Sequence, residues 1–132
     1  MKRFFFFFFL AIAVMTHGAT TRNDWKVFPM TEAKVQIPLD LVYGSEEFAS
    51  IAEGLLPESM DDRWVIVVED GHIFFYRSWT GIMIYDCSFQ AKEDGIWIFS
   101  MYANRNVEEY KNNDDQHDVL IVKSWLNWLA QK

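Results

Sequence analysis

The chain has 132 residues, of which 51% are hydrophobic and 17% aromatic, and its formal net charge is −7. That length suits one domain, and that composition excludes a disordered chain in favour of a core built on large rings. Without Lys2 and Arg3 of the N-terminal segment, 10 basic residues face 19 acidic ones, a balance of −9. Such a domain repels phosphate backbones and anionic membrane surfaces. Ring stacking on nucleic acid would also need a basic groove, and none is visible, so nucleic acid is not an expected partner. The single cysteine, Cys87, allows no internal disulfide, metal cluster or redox pair. It reads as a small buried hydrophobe within a strand.

Residues 1–19 have the three-part layout of a secretory signal: Lys2 and Arg3, an apolar run from Phe4 to Met15, then Thr16, Gly18 and Ala19. The apolar run is shorter than the roughly 20 residues that span a bilayer, which favours a cleaved signal over a retained anchor. No stable membrane insertion is expected after processing. Export to the periplasm or medium follows if the segment is real. A start misassigned upstream of Met15 or Met30 would instead leave a cytoplasmic protein. Residues 20–132 then form a single domain.

Along that domain, residues 20–44 read as extended and irregular, with Val35–Ile37 and Leu39–Leu41 as edge strands beside the helix-breaking Pro29 and Pro38. Ser45 caps a short helix whose Phe48, Ile51, Ala52 and Leu55 share one face, and Pro57 stops it near Leu56. Trp64–Val68 and His72–Arg77 flank Asp70–Gly71, a pair preferred in type I′ hairpin turns. Strand patterns resume over Ile82–Phe89, where Met83, Tyr85, Cys87 and Phe89 fall on one face, and over Ile96–Tyr102 after the Lys92–Gly95 turn. Asn113 is a candidate N-cap for a last helix, with Gln116 three residues on. Val119, Val122, Leu126 and Leu129 form its apolar stripe, widened by Ile121, Trp125 and Trp128. The expected fold class is therefore α+β: an antiparallel β-meander packed against a C-terminal amphipathic helix and one shorter helix.

The sequence assigns no catalytic residue, no metal and no cofactor. It has no Gly-rich phosphate loop and no nucleophile elbow, and His17, His72 and His117 are scattered. The most unusual run is Arg77–Ser78–Trp79–Thr80–Gly81. Arg at a strand end followed by Trp and a polar turn can present a bidentate cation and a flat ring to a ligand. The simpler reading pairs Arg77 with Glu69 across the hairpin and packs Trp79 on the sheet edge. Arg105, Tyr110, Asp114 and Asp115 form a second polar group before the last helix, where first-turn acids also serve as ordinary dipole partners.

Met60–Asp61–Asp62–Arg63–Trp64, the Glu69–Asp70–Gly71 turn, Tyr76–Arg77–Ser78–Trp79–Thr80–Gly81–Ile82, Ile84–Tyr85, Asn104–Arg105, Glu109–Tyr110 and Asp114–Asp115 together resemble a family of small uncharacterised bacterial domains. The likeness spans roughly residues 25–130, and Arg-Ser-Trp-Thr-Gly is its most specific element. Some members of that family accompany ADP-ribosylglycohydrolase or macrodomain proteins. The resemblance thus implies an accessory role near ADP-ribose or NAD chemistry, and it implies binding residues at Arg77, Trp79, Arg105 and Tyr110, with Ser78 and Thr80 of the same run as further candidates. It also implies a cytosolic protein, at odds with the signal-like start. The expectation is a non-enzymatic binding or accessory domain for a small anionic ligand or a protein partner. The alternative is an exported acidic inhibitor or immunity-type protein. A hydrolase acting on ADP-ribose would have to rely on Glu69, Asp114 and Asp115.

Overall fold

A computed structural model describes residues 19–132; the signal-like segment, apart from Ala19, lies outside the described residues. The described chain is an α+β domain. After a short 3-10 turn (Arg22–Asp24), its elements are β1 (Lys34–Tyr43), α1 (Ser45–Ala52), β2 (Trp64–Glu69), β3 (His72–Arg77), β4 (Met83–Lys92), β5 (Gly95–Asn104) and α2 (Asp115–Ala130). All neighbours in the sheet are antiparallel, in the order β1-β5-β4-β3-β2. The expected meander is β2 to β5, and β1 adds to its far side.

Local chemistry explains most of these boundaries. Asp70 and Gly71 have φ values of 54° and 81°, the positive pair that a type I′ turn demands between β2 and β3. The stretch read as two edge strands is one strand, β1. Its Pro38 pairs with Ser100 just before a register shift, and its missing N–H is tolerated because β1 lies at the sheet edge. Helix α1 begins after Gly44 and stops at Ala52, short of Leu56. Leu55 leaves it to exchange hydrogen bonds with Ile66 (2.9 and 3.0 Å), which covers the outer edge of β2. The N-cap of α2 is Asp114 rather than Asn113, because its carboxylate accepts from the N–H groups of Gln116 and His117.

Both helices cover one face of the sheet. Phe48, Ile51, Val122, Leu126 and Leu129 bury against Ile37, Tyr85, Cys87, Ile98 and Met101. The Ser50 hydroxyl donates to the Leu129 carbonyl (2.7 Å), tying the helices together. The stripe of α2 is narrower than its sequence suggests, since Trp128 is 52% exposed. Met83 does not share a face with Tyr85 and Cys87: a register shift between Phe75 and Tyr76 turns it to the opposite side. There Met83 joins Val65, Val67, Phe74 and Tyr76 in a second apolar cluster, covered by Trp25, Val27 and Met30. The N-terminal stretch is therefore a second cover for the sheet, one that no periodic pattern in its residues announces.

Candidate functional site

The Arg77–Gly81 run leaves the end of β3, and strand alternation sends its side chains to different sides. Arg77 turns toward the helix-covered side. Its guanidinium lies 4.6 Å from the Trp64 ring centroid and 5.7 Å from that of Tyr110. It does not pair with Glu69, whose carboxylate instead accepts from the Nε (2.6 Å) and backbone N–H (3.0 Å) of Arg22. Among the described residues Arg77 has no carboxylate partner.

Ser78 is buried, and it fastens three segments together. Its N–H donates to the Arg63 carbonyl (2.9 Å) and its hydroxyl to the Asp62 carbonyl (2.7 Å). Its own carbonyl accepts from the Trp25 indole (3.0 Å). The loop Pro57–Asp62 is itself tightly wound, through Glu58 N–H to Asp62 and Asp61 N–H to the Ser59 hydroxyl. Thr80 holds the turn by accepting from the Ile82 N–H (3.2 Å). Gly81, at φ 75°, lets the chain reverse where a Cβ would fall 2.1 Å from the Lys26 carbonyl.

These contacts leave Trp79 on the other side, 73% exposed. Its indole N–H donates to the Met60 carbonyl (3.0 Å), so the ring is fixed without being packed away. Trp79, Trp25, Met60, Pro57, Glu58, Ser59 and Ser78 line an open cleft of about 490 Å³. Both indole N–H groups already serve the protein, which leaves ring faces, a 78% exposed Met60 and one carboxylate, Glu58, toward any occupant. With the Ser78 hydroxyl donating to Asp62, this lining offers no paired acid and base and no activated nucleophile. Its chemistry is that of apolar and cation–π contact. A smaller recess of about 390 Å³ lies at Ser124, Trp125 and Trp128 on α2.

Arg105 and Tyr110 converge on a residue that sequence reasoning passed over. Asp118 is fully buried. Its Oδ2 accepts from Arg105 (2.6 Å), and its Oδ1 accepts from Tyr85 (2.7 Å), Tyr110 (2.7 Å) and Asn112 (2.9 Å). Arg105 also donates to Asp115 (2.6 Å) and to the Asn104 and Asn112 carbonyls. Burial, reinforced by hydrogen bonds to Tyr110 and Asp118, pushes the Tyr85 hydroxyl well above its ordinary pKa; burial raises Tyr110 likewise. Both remain donors at neutral pH. The two hydroxyls also lie 2.7 Å apart, so two protons serve three short contacts and the group is tightly coupled. No buried side-chain polar atom among the described residues lacks a partner. Arg105 and Tyr110 thus act as interior struts. Asp118 had one legible signal: it sits four residues before Val122 and eight before Leu126, on the buried stripe of α2.

No family model, curated protein or solved structure matches this chain.

Of the six expected binding residues, the structure groups Ser78, Trp79 and Thr80 at the cleft and its turn, and Arg77 with Tyr110 on the opposite side. Arg105 joins the Asp118 network. Glu69, Asp114 and Asp115 are occupied separately, by Arg22, by the α2 backbone and by Arg105. Among the described residues no three His, Cys, Asp or Glu side chains form a metal-binding group. No described helix is long and apolar enough to cross a membrane. Cys87 is buried, and burial pushes its thiol pKa up, which makes it a poor nucleophile.

Proposed function

We propose that the chain is a non-enzymatic binding domain that grips a protein partner in the cleft between Trp25 and Trp79. The observation that carries this reading is Trp79: a large ring that is 73% exposed yet pinned through its own N–H. An indole left in water forgoes its burial energy, and one already fixed loses little conformational freedom on binding. Aromatic and Met side chains also form the energetic centres of protein interfaces. The rim supports a basic partner. Glu58 lines the cleft with Met60, Asp61 and Asp62 follow Met60 in the chain, and the domain carries −9 outside its first 19 residues, so a Lys or Arg entering over the indoles gains both cation–π and Coulomb attraction.

A direct link to ADP-ribose or NAD rests on the family resemblance. The cleft lining contains no cation for a diphosphate, which favours an accessory role through a protein contact. The same acidic, aromatic surface serves the exported inhibitor reading, and the compartment of the mature chain separates the two. Panning a random-peptide display library on the full chain, with Trp79→Ala as counter-target, tests the proposal. Enriched peptides should combine Lys or Arg with apolar residues and lose binding to Trp79→Ala. Peptides that bind both proteins equally would rule the cleft out.

A further inference from the structure

We propose that Arg77 is a second, independent site, an oxyanion receptor in which a carboxylate or phosphate docks in the plane of its guanidinium. Arg105 and Arg22 have carboxylate partners at 2.6 Å. Arg77, in a domain with 19 acidic residues, has none among the described residues, and none of its guanidinium N–H groups reaches a protein acceptor there. It is nevertheless partly buried and lies within cation–π reach of both the Trp64 and Tyr110 rings. Those rings are themselves anchored. Trp64 is buried and stacks on Tyr85 at 5.7 Å, and the Tyr110 hydroxyl donates to Asp118. The cation is therefore held beside anchored rings before any ligand arrives, and its donors remain available. A planar fork of N–H groups matches the two oxygens of a carboxylate or phosphate, and stacking takes up the guanidinium faces without consuming its edge. This site lies apart from the Trp25–Trp79 cleft, whose lining excludes Arg77.

The test is an NMR titration of the full chain. The Arg77 Nε–Hε resonance is followed against inorganic phosphate, acetate and chloride at constant ionic strength. A saturable shift with phosphate, acetate or both, absent with chloride, is expected; phosphate alone marks a phosphate ligand and acetate alone a carboxylate. Arg77→Lys, which keeps the charge and loses the fork, should weaken binding about tenfold or more, the scale of one lost charge-assisted hydrogen bond. Trp79→Ala should bind the anion as the parent does. A linear shift equal to that with chloride overturns the proposal using the parent protein alone. Unchanged affinity in a folded Arg77→Lys also overturns it, since charge without geometry would then suffice.

Discussion

Asp118 shows how much a single buried carboxylate can organise. It has no exposure, yet four side chains donate to it, from β4, from the segment after β5 and from the loop before α2. Removing it leaves Arg105 with Asp115 as its remaining carboxylate partner and takes their shared acceptor from Asn112 and two buried tyrosine hydroxyls. Asp118→Ala should therefore lower the unfolding free energy by at least about 1–3 kcal/mol, the cost of leaving buried donors without their acceptor, as read by urea denaturation. The tyrosines set a second expectation. Burial pushes Tyr43 and Tyr76 up to about 12, whereas an unfolded tyrosine titrates near 10. The folded state therefore holds protons that the unfolded state releases between these values. Stability is fully present below about pH 10 and falls as pH rises toward about 12. Denaturation midpoints measured across pH 8–12 should be level at first and then drop.

At the scale of elements, the turn after β3 depends on Gly81. Its φ of 75° is strained for any side chain, and an added Cβ would meet the Lys26 carbonyl at 2.1 Å. Gly81→Ala should cost about 1–3 kcal/mol from backbone strain alone, with more from displacing the N-terminal stretch, whose Phe28 bonds to Gly81 (2.8 Å) and Met83 (3.3 Å). Thermal unfolding would show it. The Asp70–Gly71 hairpin, the strand runs and the two amphipathic helices were legible because their signals are local: turn chemistry, alternation and 3.6-residue spacing. The placement of Met83 was not legible, because a register shift depends on the neighbouring strand. Arg77 and Trp79 stand together in the sequence as part of its most unusual run. Their separation was hidden because it depends on Ser78, which bonds to Asp62, Arg63 and Trp25. Trp25 lies 53 residues from Ser78 along the chain, beyond the reach of any local pattern.

At the scale of the molecule, the sheet has two covers: the helix pair on one face and residues 20–30 over part of the other. A chain beginning at Met30 would lose Trp25 and Val27 from above Val65, Val67, Phe74 and Tyr76. It should expose that apolar face, bind a hydrophobic dye and melt at a lower temperature than the full chain. It would also lose one wall of the cleft, which ties the proposed binding surface to the N-terminal cover. On the proposed function Trp79 is displayed for a partner, while Trp64, 15 positions earlier and buried, holds the core. Urea unfolding of Trp79→Ala beside Trp64→Ala separates these two roles. Trp64→Ala should lose about 3–5 kcal/mol, and Trp79→Ala should stay within about 0.5–1 kcal/mol of the parent, as exposed positions do. Comparable losses in both would make Trp79 a structural residue and contradict its assignment to a binding cleft.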